Sequence, residues 1–286
     1  MGMKWTTGLR PNRKLKINIS IGPKMLSNLD HTVCSHKVMV VNMKRNKIIE
    51  TLNQDKLIEH KKRVAFHEAG HAAGIHLNNK ARQLPPIFFK IMFKDMSGVT
   101  AADVVAYQTT HDDCIARVEG GRLIELLPPS INSLVRELTE HNDAMVQLVK
   151  DYMIAFEADI INLLIGPLAE AKHVADADDE LFSHQIVNLK ALKNYGGSSD
   201  LALANEYLQS FSADKQQRDD KLDELFSSAF DFVNNNANWA AITRLADYIL
   251  DSSKNILDCE EIVSILDQSI DQFQNRKVMA RNQWLT

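Results

Sequence analysis

The sequence predicts an α+β fold that is mostly α-helical, with a small antiparallel sheet before about residue 130 and a helical bundle after it. Apolar residues recur at helical spacing through the second half, whereas the first half contains short apolar runs bounded by Gly and Pro. The 286 residues, 45% of them hydrophobic, suffice for a sizeable core. We expect one main domain, residues 37–286, preceded by a basic and loosely ordered arm, residues 1–36.

Local patterns predict the individual elements. Residues 63–78 contain four Ala and no Pro, which favours a helix, and Gly70 and Gly74 within it indicate close packing. Residues 87–93 have the pattern of a buried strand, and Gly120-Gly121 lies between two apolar runs that predict a hairpin of residues 114–118 and 123–127. The helices expected in the second half are 135–174, 200–211, 219–233, 239–250 and 260–273.

Composition limits the function classes. The net charge of -4 and the charged fraction of 24% are ordinary, so we expect no nucleic-acid partner. The longest apolar stretch, residues 152–165, is interrupted by Glu157 and Asp159, and we expect no transmembrane segment. The three cysteines are widely spaced and odd in number, which predicts a soluble protein of a reducing, cytoplasmic compartment: Cys34, Cys114 and Cys259.

The strongest local signal is His67-Glu68-Ala69-Gly70-His71. Two His at positions i and i+4 lie on one face of a helix, where both can bind one Zn²⁺. Glu68 is then placed to act as the catalytic base that takes a proton from an attacking water molecule. The pattern predicts a zincin-like metal site.

A catalytic zinc needs a third protein ligand, and two carboxylates compete for this role. Asp200 follows Gly196-Gly197-Ser198-Ser199, where a new helix is expected to begin, and an acid there also complements the helix dipole. Glu170 is a polar residue in a strongly apolar helix. It is an alternative ligand or, on the better interpretation, a residue that orients a ligating His.

Three motifs resemble the protease domain of FtsH-type zinc metallopeptidases: the HEAGHA segment from His67, Gly166-x-x-Ala169-Glu170, and the GGSSDL segment ending in Asp200-Leu201. The similarity spans residues 63–266. It implies that His67, His71 and Asp200 bind one zinc ion and that Glu68 is the catalytic base. The chain has no Gly-x-x-x-x-Gly-Lys-Ser/Thr loop, so we expect no ATPase module of the FtsH type within it.

These observations predict a zinc-dependent metalloendopeptidase that hydrolyses flexible or unfolded protein or peptide substrates without its own ATPase. A separate ATPase or a homo-oligomer is a conceivable partner, and a substrate strand could pair with an edge of the sheet near residues 87–93. Two alternatives stay open: a catalytically inactive binding or adaptor protein of the same fold, and a zinc hydrolase acting on a non-peptide bond. The intact Glu68 argues against the inactive protein.

The remaining candidates are weaker. A second cluster of possible metal donors lies in the arm: His31, Cys34 and His36. His76 follows His71 by five positions, points off the ligand face and is expected to be structural. The residues Lys61-Lys62-Arg63 are expected to be the solvated start of the helix. Candidates to stabilise the oxyanion of a tetrahedral intermediate are Tyr195, His173 and His184.

Overall fold

The computed structural model describes residues 54–93, 116–131, 135 and 143–283. Contacts divide the chain into Met1–Ile49 and Glu50–Thr286, and all described residues belong to the second unit. This unit is mostly helical with one small antiparallel sheet, which confirms the predicted fold class. The expected arm, residues 1–36, lies outside the described residues.

The first helix, α1, covers residues 54–81 and includes one π-helical turn, Gly74–Asn78. Its close packing on the bundle depends on Gly70, because a Cβ there would lie 2.7 Å from the Cβ of Ala169 and 2.9 Å from the carbonyl of Ile165. Helix α1 therefore approaches a second helix almost backbone to backbone, as its two glycines predicted. The chain leaves the helix through Gln83, which has a positive φ of 59°.

Three strands form the sheet in the order β2-β1-β3: β1 is Phe89–Phe93, β2 is Ala116–Gly120 and β3 is Ile256–Leu257. Both pairings are antiparallel, with Phe93 opposite Ala116 and Ile91 opposite Leu257. The strand predicted at 87–93 is confirmed. Because it is the central strand, the expectation that it offers a free edge is wrong.

The predicted hairpin around Gly120-Gly121 is also wrong. Strand β2 pairs with β1 instead, and residues 121–127 form no strand. Gly120 and Gly121 have positive φ values of 84° and 81°, and the Gly121 N–H bonds to the carbonyl of Phe88. The two glycines thus end β2 and turn the chain away from the sheet.

The predicted bundle is confirmed. Its helices in the described residues are α2 (Asp143–Ala177), α3 (Ser198–Phe211), α4 (Lys215–Asn234), α5 (Asn236–Asp251) and α6 (Cys259–Gln283). A short 3₁₀ turn, Ala191–Tyr195, precedes α3. Asp214 caps α4 and Asn235 caps α5 by accepting backbone N–H bonds with their side chains, which explains why these helices begin where they do.

Helix α2 is the centre of the fold. Many of its apolar residues are buried in a cluster with α3 and α4, and Phe156, Leu164 and Leu168 are fully buried there. A second cluster joins α1 and the sheet to α5 and α6. Residues Val146–Ala177 are long and apolar enough to cross a membrane by length and composition, and 67% of that window is buried within the protein. The buried core helix of a globular protein has the same composition.

Candidate metal centre

Two histidines of α1 and one aspartate of α3 converge on a single point. The Nε2 atoms of His67 and His71 are 3.1 Å apart. The carboxylate oxygens of Asp200 lie 3.5 Å from His67 Nε2 and 3.4 Å from His71 Nε2. The three side chains are nearly buried, with 11–13% of each exposed. Together they form a group that can hold a metal ion.

The spacing of these donors matches a tetrahedral ion. Donors that are about 2.1 Å from a central zinc are separated from one another by about 3.4 Å in a regular tetrahedron. The three observed separations, 3.1, 3.4 and 3.5 Å, lie close to that value. Three protein donors leave the fourth position of the tetrahedron for a water molecule or a substrate oxygen.

Hydrogen bonds on the far side of each imidazole fix its orientation. His67 Nδ1 is 3.1 Å from Glu170 Oε2, and His71 Nδ1 is 3.0 Å from the backbone carbonyl of Asn162. Both partners are acceptors, so both Nδ1 atoms carry hydrogen and donate it. In the neutral imidazoles the two Nε2 lone pairs then face each other and Asp200, an arrangement that a cation stabilises.

Glu170 joins His67 to Arg63. Arg63 donates to Glu170 Oε1 through Nε at 2.8 Å, and its Nη2 donates to the backbone carbonyl of Asn194 at 2.9 Å. Burial raises the pKa of Glu170, but the contacts with His67 and Arg63 outweigh it and hold the pKa below its ordinary value. Glu170 is therefore a carboxylate at neutral pH. Lys61 and Lys62 are exposed as expected, whereas Arg63 is bound and the helix begins before this run, which corrects the expectation of a solvated helix start on these two points.

The electrostatic field at the centre favours positive charge. Burial lowers the pKa of His67, but its contacts with Asp200 and Glu170 raise that pKa well above the ordinary value. For Asp200, burial raises the pKa, and the neighbouring His71 and His67 reverse this effect and lower it. The carboxylates that favour a proton on His67 also favour a metal cation in the same place.

Two glycines make room for the ligating rings. A Cβ on Gly166 of α2 would lie 2.3 Å from His71 Nε2, well inside van der Waals contact. A Cβ on Gly196, whose φ is 71°, would lie 3.0 Å from the ring of His67 and 3.1 Å from Glu170 Oε2. These close approaches explain why the motifs of α2 and of the turn before α3 begin with glycine.

Glu68 lies beside the three donors and is only 6% exposed. Its Oε2 atom has no hydrogen-bond partner among the described residues, and the same is true of Asp200 Oδ2. Burial raises the pKa of Glu68 above its ordinary value, more than the nearby His67, His71 and the Val118 backbone lower it. A buried acceptor without a partner is costly, so these two atoms indicate groups that bind in the cavity.

His67, His71 and Asp200, which we call the metal group, line a cavity of about 650 Å³. Its lining includes the turn before α3 and strand β2 with the residues that follow it. Among the described residues, β2 pairs only with β1, so its other side is an edge that borders the cavity.

A buried carboxylate holds the chain after β2. Asp159 of α2 is 3% exposed and accepts the N–H groups of Leu123 and Ile124, each at 2.9 Å. Tyr207 of α3 donates its hydroxyl to Asp159 at 3.0 Å. Burial raises the pKa of Asp159 despite these bonds and the charge of Arg122 nearby. We call Asp159, Tyr207 and the two N–H groups the loop anchor.

The structure thus brings together Glu68, Asp200, Glu170 and both histidines of the motif. Sequence reasoning missed Arg63 and the loop anchor, although a polar Asp159 within an apolar helix was a visible signal. The three oxyanion candidates do not line the cavity: Tyr195, His173 and His184. His173 stacks on Phe66 and His184 on Phe230.

Two further candidates are accounted for. His76 bonds to Asp267 at 2.8 Å and takes no part in the metal group, as its spacing predicted. The arm cluster lies outside the described residues: His31, Cys34 and His36.

Comparison with models of protein families found no match, and a search of curated proteins found no similar sequence.

Proposed function

We propose that this chain is a zinc-dependent metallopeptidase. The observation that carries the proposal is the tetrahedral spacing of His67, His71 and Asp200 beside the unpartnered carboxylate of Glu68. The resemblance of the surrounding motifs to FtsH-type proteases supports the same assignment. The proposal has three steps: the metal, the catalytic base and the substrate.

Two imidazoles and one carboxylate, with a fourth position open, are a donor set typical of catalytic zinc. His67, His71 and Asp200 would hold the ion, and Glu170 and Asn162 would keep the two rings in place. Zinc, when bound, supplies Lewis acidity: it polarises a carbonyl oxygen and lowers the pKa of a water molecule.

Glu68 is the proposed general base. Its free Oε2 can accept a proton from the attacking water and then deliver that proton to the leaving amine. Burial raises its pKa toward neutrality, which improves its match to both transfers. The backbone of Val118, which bonds to the same carboxylate, ties the base to the edge of the sheet.

That edge suggests a peptide substrate. An extended chain can add to the free side of β2 and thereby pass the metal group, because both border one cavity. The volume of about 650 Å³ is in the range of ligand-binding sites. Only an unfolded or flexible segment can pair in this way, so we infer an endopeptidase that acts on such segments.

The first test measures zinc in the purified protein by elemental analysis. We expect about one zinc per chain in the wild type and its loss in His67→Ala and Asp200→Ala. His76→Ala is the matched control, because this histidine is on the same helix but bonds to Asp267 and should leave the zinc in place. A wild type that cannot be loaded with zinc would refute the metal site.

The second test separates binding from catalysis. Zinc-loaded wild type should cleave casein, and Glu68→Gln should keep its zinc while losing about 10²–10⁴-fold in rate. Equal cleavage by Glu68→Gln would exclude Glu68 as the base. A zinc-loaded wild type that cleaves neither casein nor short peptides would overturn the peptidase assignment.

A further inference from the structure

We propose that the cavity selects substrates with a carboxylate close to the scissile bond, and that Arg122 and Lys193 are the residues that recognise it. This inference rests on the proposed peptidase function and adds a specificity to it. Both side chains are exposed, and both line the cavity that contains the metal group. They come from two separate segments of the lining.

Arg122 is on the wall formed by β2. It directly follows Gly120-Gly121, which turn the chain at the end of the strand. The two residues after it are held by the loop anchor, with the N–H groups of Leu123 and Ile124 bound to Asp159. The backbone of Arg122 is therefore fixed on both sides, although its side chain reaches the solvent.

Lys193 lines the cavity from the 3₁₀ turn before α3. Its neighbour Leu192 is fully buried, and the carbonyl of its other neighbour, Asn194, accepts a hydrogen bond from Arg63. Since Arg63 also pairs with Glu170, the turn that carries Lys193 is connected to the partner of His67. The backbone of Lys193 is therefore held in place as well, in a turn that is connected to the metal group.

Neither Arg122 nor Lys193 forms an ion pair among the residues that the structure describes, because no carboxylate lies within 4.0 Å of either. Asp159 is close enough to Arg122 to interact with its charge, but this carboxylate is already bound in the loop anchor. The other two basic residues of the cavity differ in this respect, because Arg63 pairs with Glu170 and Arg117 with Glu119.

The carboxylates of the cavity wall are already engaged. Glu170 binds Arg63 and His67, and Asp159 belongs to the loop anchor. Asp200 belongs to the metal group and Glu68 lies beside it, where a divalent cation would offset their charge. The lining of the cavity thus includes two cations that form no ion pair, and clefts of one sign concentrate ligands of the opposite sign.

The expected preference is moderate. An exposed ion pair contributes about 0.2–1 kcal/mol, which corresponds to roughly 1.4–5-fold in kcat/KM, so two such contacts give about 25-fold at most in low salt. The carboxylate has two possible sources, an acidic side chain near the cleaved bond or the C-terminal end of a short substrate.

The test uses zinc-loaded protein and one peptide that it cleaves, taken from the casein digest. Three versions are compared: neutral flanking residues with an amidated end, Glu in the flanking positions with an amidated end, and neutral flanks with a free C-terminal carboxylate. We expect kcat/KM to be about 5-fold higher for the second or the third version than for the first. The version that gains identifies the source of the carboxylate, and 0.5 M salt should reduce the gain.

Charge reversal assigns the residues. In Arg122→Glu/Lys193→Glu the ratio of kcat/KM between the carboxylate-bearing peptide and the neutral peptide should fall to 1 or below. Lys150→Glu, an exposed cation on α2 that does not line the cavity, is the matched control and should retain the preference. Equal rates for all three peptides, or a preference that survives the double reversal, would overturn the inference and leave the peptidase intact. Absence of all cleavage would overturn the proposed function, and the specificity with it.

Discussion

Gly166→Ala should remove the metal while preserving the fold. The added Cβ would lie 2.3 Å from His71 Nε2, whereas ordinary contact begins at 3.4 Å, so the ring would have to move by about 1 Å. A zinc site tolerates changes of only about 0.2 Å in its bond lengths. Such a movement also breaks the bond from His71 Nδ1 to the carbonyl of Asn162.

The loss of zinc affinity should therefore exceed the 10–100-fold that is usual when only a supporting hydrogen bond is removed. Ala is itself a better helix former than Gly by about 0.5–1 kcal/mol, so the helix has no intrinsic reason to unfold. With free zinc at about 100 times the wild-type Kd, binding stabilises the native state by about 2.7 kcal/mol. A site that is 100-fold weaker retains only about 0.4 kcal/mol of this.

The assay is competition with a chelator for zinc, together with thermal unfolding with and without the metal. Gly74→Ala is the control, because its Cβ meets Ile165 and Asn162 at the same helix interface at 3.0–3.3 Å but touches no ligating ring. It should bind zinc like the wild type. If Gly166→Ala has wild-type affinity and shows the full stabilisation by zinc, His71 is not a ligand in the described orientation.

Two further predictions concern charged contacts. Glu170→Gln should keep zinc but bind it about 10-fold more weakly in the same competition assay, because the carboxylate that orients His67 loses its charge. Asp267 pairs with His76 and Lys80; burial raises its pKa, but these bonds outweigh burial and hold the pKa below 3.8. A lowered pKa stabilises the folded state only while the group is ionised. Asp267→Asn should therefore lower the free energy of unfolding by less than about 1 kcal/mol at pH 7, as measured by urea unfolding. This difference between variant and wild type should vanish as the pH falls through the pKa of Asp267 in the folded protein. A difference that is unchanged at acidic pH would show that the ion pair is not its cause.

The helices and the metal-binding motif were predictable because both depend on local spacing. His67 and His71 are one turn apart in the sequence and therefore on one face of α1. Asp200 was harder to assign, since an acid in the first turn of a helix has a second explanation in the helix dipole. Only the packing of both α1 and α3 on α2, which no local pattern encodes, brings the Asp200 carboxylate to the two rings.

The sheet was predicted less well because its pairings are not local. Two apolar runs around Gly120-Gly121 resemble a hairpin, but the N–H groups of Leu123 and Ile124 bond to Asp159 instead of to a strand. Strand β3 has only two residues, too few for a recognisable alternation. Within the described part of the chain, the free edge beside the cavity consequently belongs to β2 and not to the strand at 87–93.

The central place of β1 in the sheet also sets an order of events during synthesis. Its partner β3 and the metal-group residue Asp200 both follow long after α1 in the chain, so the metal group is completed only when α3 has been made and the sheet only when β3 has been made. The HEAGH segment is made first, and a nascent chain carries Glu68 and the two histidines before it carries the third possible donor.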